Sequence, residues 1–174
     1  CVGIGMGLLL RYQNTAGAHG VQPLRWPTTE IQRDGSCWTL VMFAHPKCAC
    51  TRASLNELAR LLAQSNGLVS THVVFYRPSD AMNDWLDSDL VTQARRLSNI
   101  QISWDDNGRI AEAFHVSTSG HVVLYDSNGR LIFSGGITKS RGHDGRNTGS
   151  AAIVDHLNGH NSGCQESATF GCPL

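Results

Sequence analysis

Two cysteines that flank a single alanine, Cys48 and Cys50, are the residues of this sequence best suited to chemistry. An apolar, β-prone run, Trp38–Ala44, leads into them, and leucines at spacings of three and four follow. This pattern predicts a strand, a turn and a helix over residues 50–64. Unpaired backbone N–H groups and the helix dipole favour the thiolate form of a cysteine at a helix N-terminus. Because a thiolate is both a nucleophile and a metal ligand, this arrangement predicts thiol–disulfide exchange or metal binding.

A nucleophilic Cys48 needs a second thiol to resolve the mixed disulfide that it forms with a substrate. Cys50 is the nearest in the chain, but a Cys-x-Cys ring is small and strained, which makes it oxidising. Cys172 is the other candidate, because Gly171 and Pro173 predict an exposed turn that could fold back. A disulfide from Cys172 to the helix start could equally be a staple for the tail, and the sequence leaves both roles open.

Histidines are the candidate bases and ligands beside these thiols. His45 lies three residues before Cys48, and His121 begins a predicted strand beside the first strand. We expect the sulfur pair to be exposed and His121 to face it. An imidazole there could polarise a thiol, transfer its proton or ligate a metal. His143, in a glycine-rich loop, is a third candidate.

Three functions are compatible with this set of residues. The first is thiol–disulfide exchange, which needs no cofactor and would act on a protein or small-molecule disulfide or thiol. The second is copper handling, in which Cys48, Cys50 and His121 form a soft site for Cu(I). The third is a non-catalytic binding domain that carries an inert disulfide. Separately, free cysteines are often buried as small hydrophobic residues, which is the alternative to any chemical role. We expect the first.

The composition of the whole chain bounds these choices. With 174 residues, 41% hydrophobic, 16% charged and zero formal net charge, the chain fits one globular domain with short tails. The chain has no excess of basic residues, so its charge does not indicate a nucleic-acid partner. Residues 1–10 carry no charge and reach half the length of a membrane span, so we interpret them as a truncated membrane anchor or signal remnant. A buried first strand or a disordered end is the alternative.

The remainder of the chain divides by composition and periodicity. We predict a polar linker at 11–36, a domain at 37–158, and a C-terminal tail at 159–174 that contains Cys164 and Cys172. Within the domain the predicted order is β-α-β-α-β-α-β-β-α, and Asn128-Gly129 predicts a tight hairpin between the last two strands. This order predicts an α/β fold, a mixed central sheet with helices on both faces.

The order of elements resembles the thioredoxin superfamily over residues 37–158. Cys48 lies five residues after Phe43, the offset of the attacking cysteine in that superfamily. The resemblance implies a three-layer sandwich with thiol chemistry at the helix start. Two positions depart from it: Thr51 stands where the superfamily has its second thiol, and Gly120 stands where it has a cis-proline that faces the thiols.

Short motifs are similar to the RedB-like group of bacterial membrane-anchored thioredoxin-fold proteins. These are the stretches 45–55, 118–122, 133–138, 140–143 and 170–174. Proteins of that group generally carry one N-terminal membrane segment and a Cys-Pro-Cys, in which Ala49 replaces the proline here. The resemblance implies attachment to the bacterial inner membrane through the N-terminal segment, with the domain on the periplasmic side.

Overall fold

The computed structural model describes residues 2–160 and 162–174, so Cys1 of the predicted anchor lies outside the described residues. Helices and strands alternate along most of this part of the chain. The helices are α1 Val2–Gln13, α2 Ala49–Gln64, α3 Asn83–Leu86, α4 Asp89–Arg95, α5 Arg109–Ala113 and α6 Thr148–Leu157. The strands are β1 Trp38–Ala44, β2 Val69–Arg77, β3 Ile100–Asp106, β4 His121–Tyr125, β5 Leu131–Gly136 and β6 Glu166–Ser167.

The strands form one mixed sheet in the order β3-β2-β1-β4-β5-β6. β1 runs parallel to β2 and antiparallel to β4, and β4 and β5 form the predicted hairpin. Helices α2, α4 and α6 pack on one face of the sheet, and α5 packs on the other. The predicted fold class, a three-layer α/β sandwich with a mixed central sheet, is confirmed.

Side-chain alternation in β1 produces the two cores on either side of the sheet. Leu40 and Met42 pack towards α2, whereas Val41 and Phe43 pack towards α5. Because β1 is buried on both faces, its sequence is apolar at nearly every position, as the strand prediction requires. The leucines of α2 lie on the inner face of that helix, which fixes the start of α2 above the end of β1.

Two strands have the predicted bounds, and two elements that follow residue 36 were not predicted. β1 and β4 begin and end at the expected residues. α3 lies inside the predicted domain, between β2 and α4, and β6 lies in the predicted tail. Both are too short to carry a periodic signal, and β6 exists because it pairs with β5.

Residues 11–36, predicted to be a polar linker, include side chains that contact the sheet. The Tyr125 hydroxyl donates to Pro23 O at 2.8 Å, and Trp26 N–H donates to Gly129 O at 2.8 Å. Trp26 also packs edge-on against Tyr125. Residues 23–26 of this segment therefore pack against β4 and the turn that follows it, although the composition is polar, and the division of the chain into a linker and a domain stays a prediction.

The N-terminal residues form α1, so the alternative of a buried first strand is wrong for residues 2–13. Met6, Leu8 and Leu10 are exposed apolar side chains on this helix. Of the helices in the described ranges, none combines the length and the apolar character needed to cross a bilayer. Attachment to a membrane stays a prediction.

Candidate active site

Cys48 is the N-cap residue of α2 and follows β1 after a three-residue turn. Its N–H donates to His45 O at 3.1 Å, and its carbonyl accepts from Thr51 N–H at 3.0 Å. The Cys48 side chain forms no capping hydrogen bond of its own. The first turn of the helix therefore leaves N–H groups directed towards the sulfur, as the strand–turn–helix pattern predicts.

Cys172 lies directly against Cys48. The two sulfur atoms are 2.7 Å apart, and both residues are free thiols. Cys172 is held there by the backbone, since Ser119 N–H donates to Cys172 O at 2.8 Å. Cys48 is only 1% exposed. The expectation of an exposed sulfur pair is therefore wrong for Cys48, because the C-terminal tail covers it.

The two thiols hold their protons unequally. Burial alone would raise the pKa of Cys48, but the Cys172 thiol and the nearby N–H groups of Cys172, Cys50 and Thr51, which stabilise the thiolate, outweigh burial and lower it. Burial raises the pKa of Cys172 to about 12, and the neighbouring Cys48 sulfur adds to the effect. When Cys48 is ionised, Cys172 keeps its proton and donates it to the Cys48 sulfur, which favours Cys48 as the thiolate and as the better leaving group.

Cys50 is a third, half-buried thiol of the same site. Burial raises its pKa first, and the charge on Cys48 and a hydrogen bond to that sulfur raise it further. The Arg141 guanidinium and the Gly142 N–H act in the opposite direction. Cys50 therefore stays protonated while Cys48 is ionised, and it lies close enough to Cys48 to be an alternative partner.

Thr51 and Ser119 form a buried hydroxyl pair beneath the thiols. The Thr51 hydroxyl donates to His45 O at 3.0 Å, and Ser119 Oγ accepts from His45 N–H at 2.9 Å. The two hydroxyl oxygens are 3.0 Å apart. Because Thr51 has used its only proton on His45 O, Ser119 donates to Thr51. The pair fixes the turn that carries Cys48, so Thr51 positions the predicted nucleophile.

His45 lies in the turn between β1 and Cys48, and its ring packs in an aromatic cluster. Its ring contacts those of Tyr76 and Trp85 at centroid distances of 5.9 and 5.2 Å. Its Nδ1 accepts from Lys47 N–H at 3.1 Å. Burial, and then the charge of Lys47, lower the pKa of His45. At neutral pH this histidine is therefore uncharged.

His121 does not face the thiols, contrary to the sequence-based expectation. Its Nε2 lies 2.8 Å from Ser134 Oγ and its Nδ1 lies 3.0 Å from Thr169 Oγ1. The Ser134 hydroxyl donates to Gln22 Oε1 at 2.8 Å, so His121 Nε2 must donate to Ser134 and Nδ1 must accept from Thr169. Burial, and secondarily His19, lower the pKa of His121 to about 3. This neutral imidazole fastens the C-terminal tail to β4 and β5.

The metal site considered from the sequence is not assembled in the described ranges. No group of three or more His, Cys, Asp or Glu side chains there is arranged to hold a metal ion. Both ring nitrogens of His121 are engaged with hydroxyl groups. Copper binding by Cys48, Cys50 and His121 would require the tail contact through Thr169 to break, so it stays a prediction.

Three residues of the site were not singled out from the sequence. Ser119 and Arg141 lie in motifs that carried the RedB-like resemblance, but nothing in those motifs indicates their partners. Thr169 lies in a tail without periodicity, and only the fold brings it to His121. Arg141 donates from Nη1 to Gly171 O at 2.5 Å, so it also holds the tail next to Cys172.

Comparison with solved structures identifies the architecture. A hypothetical protein from Sinorhizobium meliloti superposes with a TM-score of 0.68 at 16% identity, over 92% of this chain and 97% of that one. An uncharacterized conserved protein from Geobacillus kaustophilus gives 0.62 at 18%, over 80% and 77%. A thioredoxin-like protein in its oxidised form gives 0.55 at 16%, over 81% and 98%. The fold is thioredoxin-like. No protein-family model and no curated protein matches the sequence.

Gly120 lies in the loop before β4 and has a backbone conformation that favours glycine. Gly120 has φ of +85°, and its N–H donates to Phe43 O at 2.7 Å. A Cβ at this position would lie 2.8 Å from Ser54 Oγ. No peptide bond among the described residues is cis. Glycine therefore gives this chain a loop shape at the thiols that a proline, with its fixed negative φ and no N–H, cannot adopt.

Proposed function

We propose that this protein catalyses thiol–disulfide exchange with Cys48 as the nucleophile and Cys172 as its intramolecular partner. The observation that carries the proposal is the 2.7 Å distance between their sulfur atoms at the N-terminus of α2. A lowered pKa for Cys48 and a raised pKa for Cys172 support the assignment of nucleophile and partner. Cys-x-Cys exchange between Cys48 and Cys50 is the secondary route.

The reaction conserves electrons in two exchanges. The Cys48 thiolate attacks a substrate disulfide, the Cys48–substrate bond forms, and the released substrate sulfur takes up a proton. Cys172 then loses its proton and attacks Cys48 Sγ, so that the Cys48–Cys172 bond forms and the second substrate sulfur leaves as a thiol. The substrate gains two electrons and the protein becomes a disulfide. A dithiol reductant reverses the protein step, and the opposite direction oxidises a dithiol substrate.

Turnover of a model protein disulfide tests these roles. Cys48→Ser is expected to abolish disulfide reduction in the presence of a dithiol. Cys172→Ser is expected to accumulate a mixed disulfide between Cys48 and the substrate, detectable by mass spectrometry. Cys50→Ser is expected to retain most turnover, because Cys172 is the nearer partner in this proposal.

Cys37→Ser is the matched control for these variants. Cys37 directly precedes β1, at the opposite end of that strand from Cys48. A seven-residue strand separates the two ends by roughly 20 Å, so this thiol should not affect exchange. Full turnover by Cys172→Ser, with no trapped intermediate, would contradict the assigned role of Cys172.

An oxidising compartment suits a protein with such a cysteine pair. The periplasmic location, the attachment to the inner membrane and the RedB-like assignment belong to this proposal, and fractionation of the natural host would test them. Copper handling is the alternative function. It predicts a stoichiometric Cu(I) complex that is lost in Cys48→Ser, Cys50→Ser and His121→Ala alike.

A further inference from the structure

The last three residues are paired with the loop before β4 like a short added strand. Ser119 N–H donates to Cys172 O at 2.8 Å, and Leu174 N–H donates to Ser117 O at 3.0 Å. Thr118 and Pro173 form the antiparallel bridge between these two hydrogen bonds. Pro173 therefore occupies a position where no backbone donor is needed, which is where an added strand tolerates proline.

The backbone of the tail comes closest to the backbone of Ser119 at Gly171, immediately before Cys172. A Cβ on Gly171 would lie 1.8 Å from Ser119 O, so only glycine permits the backbone to approach this closely. Arg141 Nη1 donates to Gly171 O at 2.5 Å on the other side. Because Cys48 is 1% exposed, no bulky disulfide reaches its sulfur while the tail is bound in this way.

We propose that residues 170–174 are a built-in pseudosubstrate: they occupy the binding groove of an extended, cysteine-containing polypeptide segment that Cys48 attacks. The tail presents a sulfur to Cys48 and pairs its backbone with residues 117–119. A substrate segment with glycine before its cysteine satisfies the same N–H and carbonyl groups by strand addition. This inference rests on the proposed role of Cys48 as the nucleophile.

Substrate and tail therefore exchange places during the reaction. In the reduced protein the tail leaves, and the substrate segment binds with its disulfide against Cys48. The Cys48–substrate bond forms, the substrate disulfide breaks, and its second sulfur leaves with the electron pair and takes up a proton. The returning tail competes for the same backbone groups at a high effective concentration, because it is part of the same chain.

Thr169→Val loosens the tail without changing a cysteine. This substitution removes the hydroxyl that donates to the buried Nδ1 of His121. Losing one buried hydrogen bond should raise the population of the open tail about tenfold or more. We expect the alkylation rate of reduced Cys48 to rise by a similar factor. Thr71→Val is the matched control, because the buried Thr71 hydroxyl has no hydrogen-bond partner among the residues that the structure describes, and its rate should equal that of the unchanged protein.

The substrate class is tested with a synthetic peptide of sequence Ala-Thr-Phe-Gly-Cys-Pro-Leu, supplied as a mixed disulfide with thionitrobenzoate. Its reaction with the Thr169→Val protein should saturate with peptide concentration. The same peptide with alanine in place of the glycine should react more slowly, without saturation, because its Cβ meets Ser119 O. A mixed disulfide of cysteamine with thionitrobenzoate provides the small-molecule comparison.

The outcomes separate the two proposals. Saturation that depends on the glycine supports the pseudosubstrate. Equal rates for the glycine and alanine peptides overturn it, as does alkylation of Thr169→Val no faster than that of Thr71→Val. If neither the peptides nor the cysteamine compound react at Cys48 in any variant, the proposed function itself fails.

Discussion

Cys48 and Cys172 bring their sulfur atoms to 2.7 Å although 124 positions separate them in the chain. A disulfide that closes a loop of this length stabilises a protein mainly by restricting its unfolded state. We expect Cys172→Ser to lower the free energy of unfolding of the oxidised protein by about 2–4 kcal/mol. Denaturant titration with and without a dithiol measures this, and under reducing conditions the difference should largely vanish. An equal loss in both conditions would show that Cys172 contributes only through packing.

The lowered pKa of Cys48 predicts its reactivity at neutral pH. Below that pKa the thiol is protonated and unreactive, so the alkylation rate should rise with pH and level off at a lower pH than for a free cysteine. Cys172→Ala removes the thiol that donates to Cys48 and should move the midpoint of the pH profile upward. Alkylation of Cys48 followed by mass spectrometry gives the profile. An unchanged midpoint would contradict the hydrogen bond between the two thiols.

His121 predicts a pH dependence of stability. The pKa of this buried imidazole is about 3, below the usual 6.5, so between these values only the unfolded chain takes up the proton. The stability contribution is therefore complete above pH 6.5 and is lost as pH falls, at about 1.4 kcal/mol per pH unit. His121→Gln should flatten this slope between pH 6 and 4 by roughly that amount, as measured by urea unfolding. His72, also buried with a lowered pKa, is unchanged in both proteins and cancels.

Introducing proline at position 120 is expected to destabilise this chain. Gly120→Pro imposes a negative φ where the backbone has +85°, and it removes the N–H that donates to Phe43 O. We expect a loss of about 3 kcal/mol or more in the free energy of unfolding. Gly35→Ala is the control, since a Cβ there meets no atom of the described residues within 4 Å, and it should have little effect. Stability of Gly120→Pro equal to that of the unchanged protein would mean that this loop has another low-energy shape.

Local sequence patterns were sufficient to predict the elements that carry Cys48. The continuous apolar run of β1 and the leucine spacing of α2 specify a buried strand and an amphipathic helix, and both are present. The Asn128-Gly129 turn likewise predicts the hairpin of β4 and β5. Each of these patterns extends over only a few neighbouring residues, so it can be recognised from the sequence alone.

The contacts between site residues depend on packing between distant parts of the chain, so local sequence patterns could not predict them. Thr169 and His121 lie 48 positions apart, and their contact exists because β6 pairs with β5 and draws the tail across the sheet. Strand β6 has only two residues, too few for an alternating pattern. The prediction that His121 faces the thiols was wrong because this tail contact turns its ring towards hydroxyl groups.

Disulfide mapping of the protein equilibrated in an oxidising thiol–disulfide buffer, then acid-quenched and analysed by mass spectrometry, tests the pairing of Cys48 with Cys172 most directly. The account predicts that the peptide containing Cys48 is recovered linked to the peptide containing Cys172, with Cys50 alkylated as a free thiol. Recovery of a Cys48–Cys50 bond with a free Cys172 would contradict it.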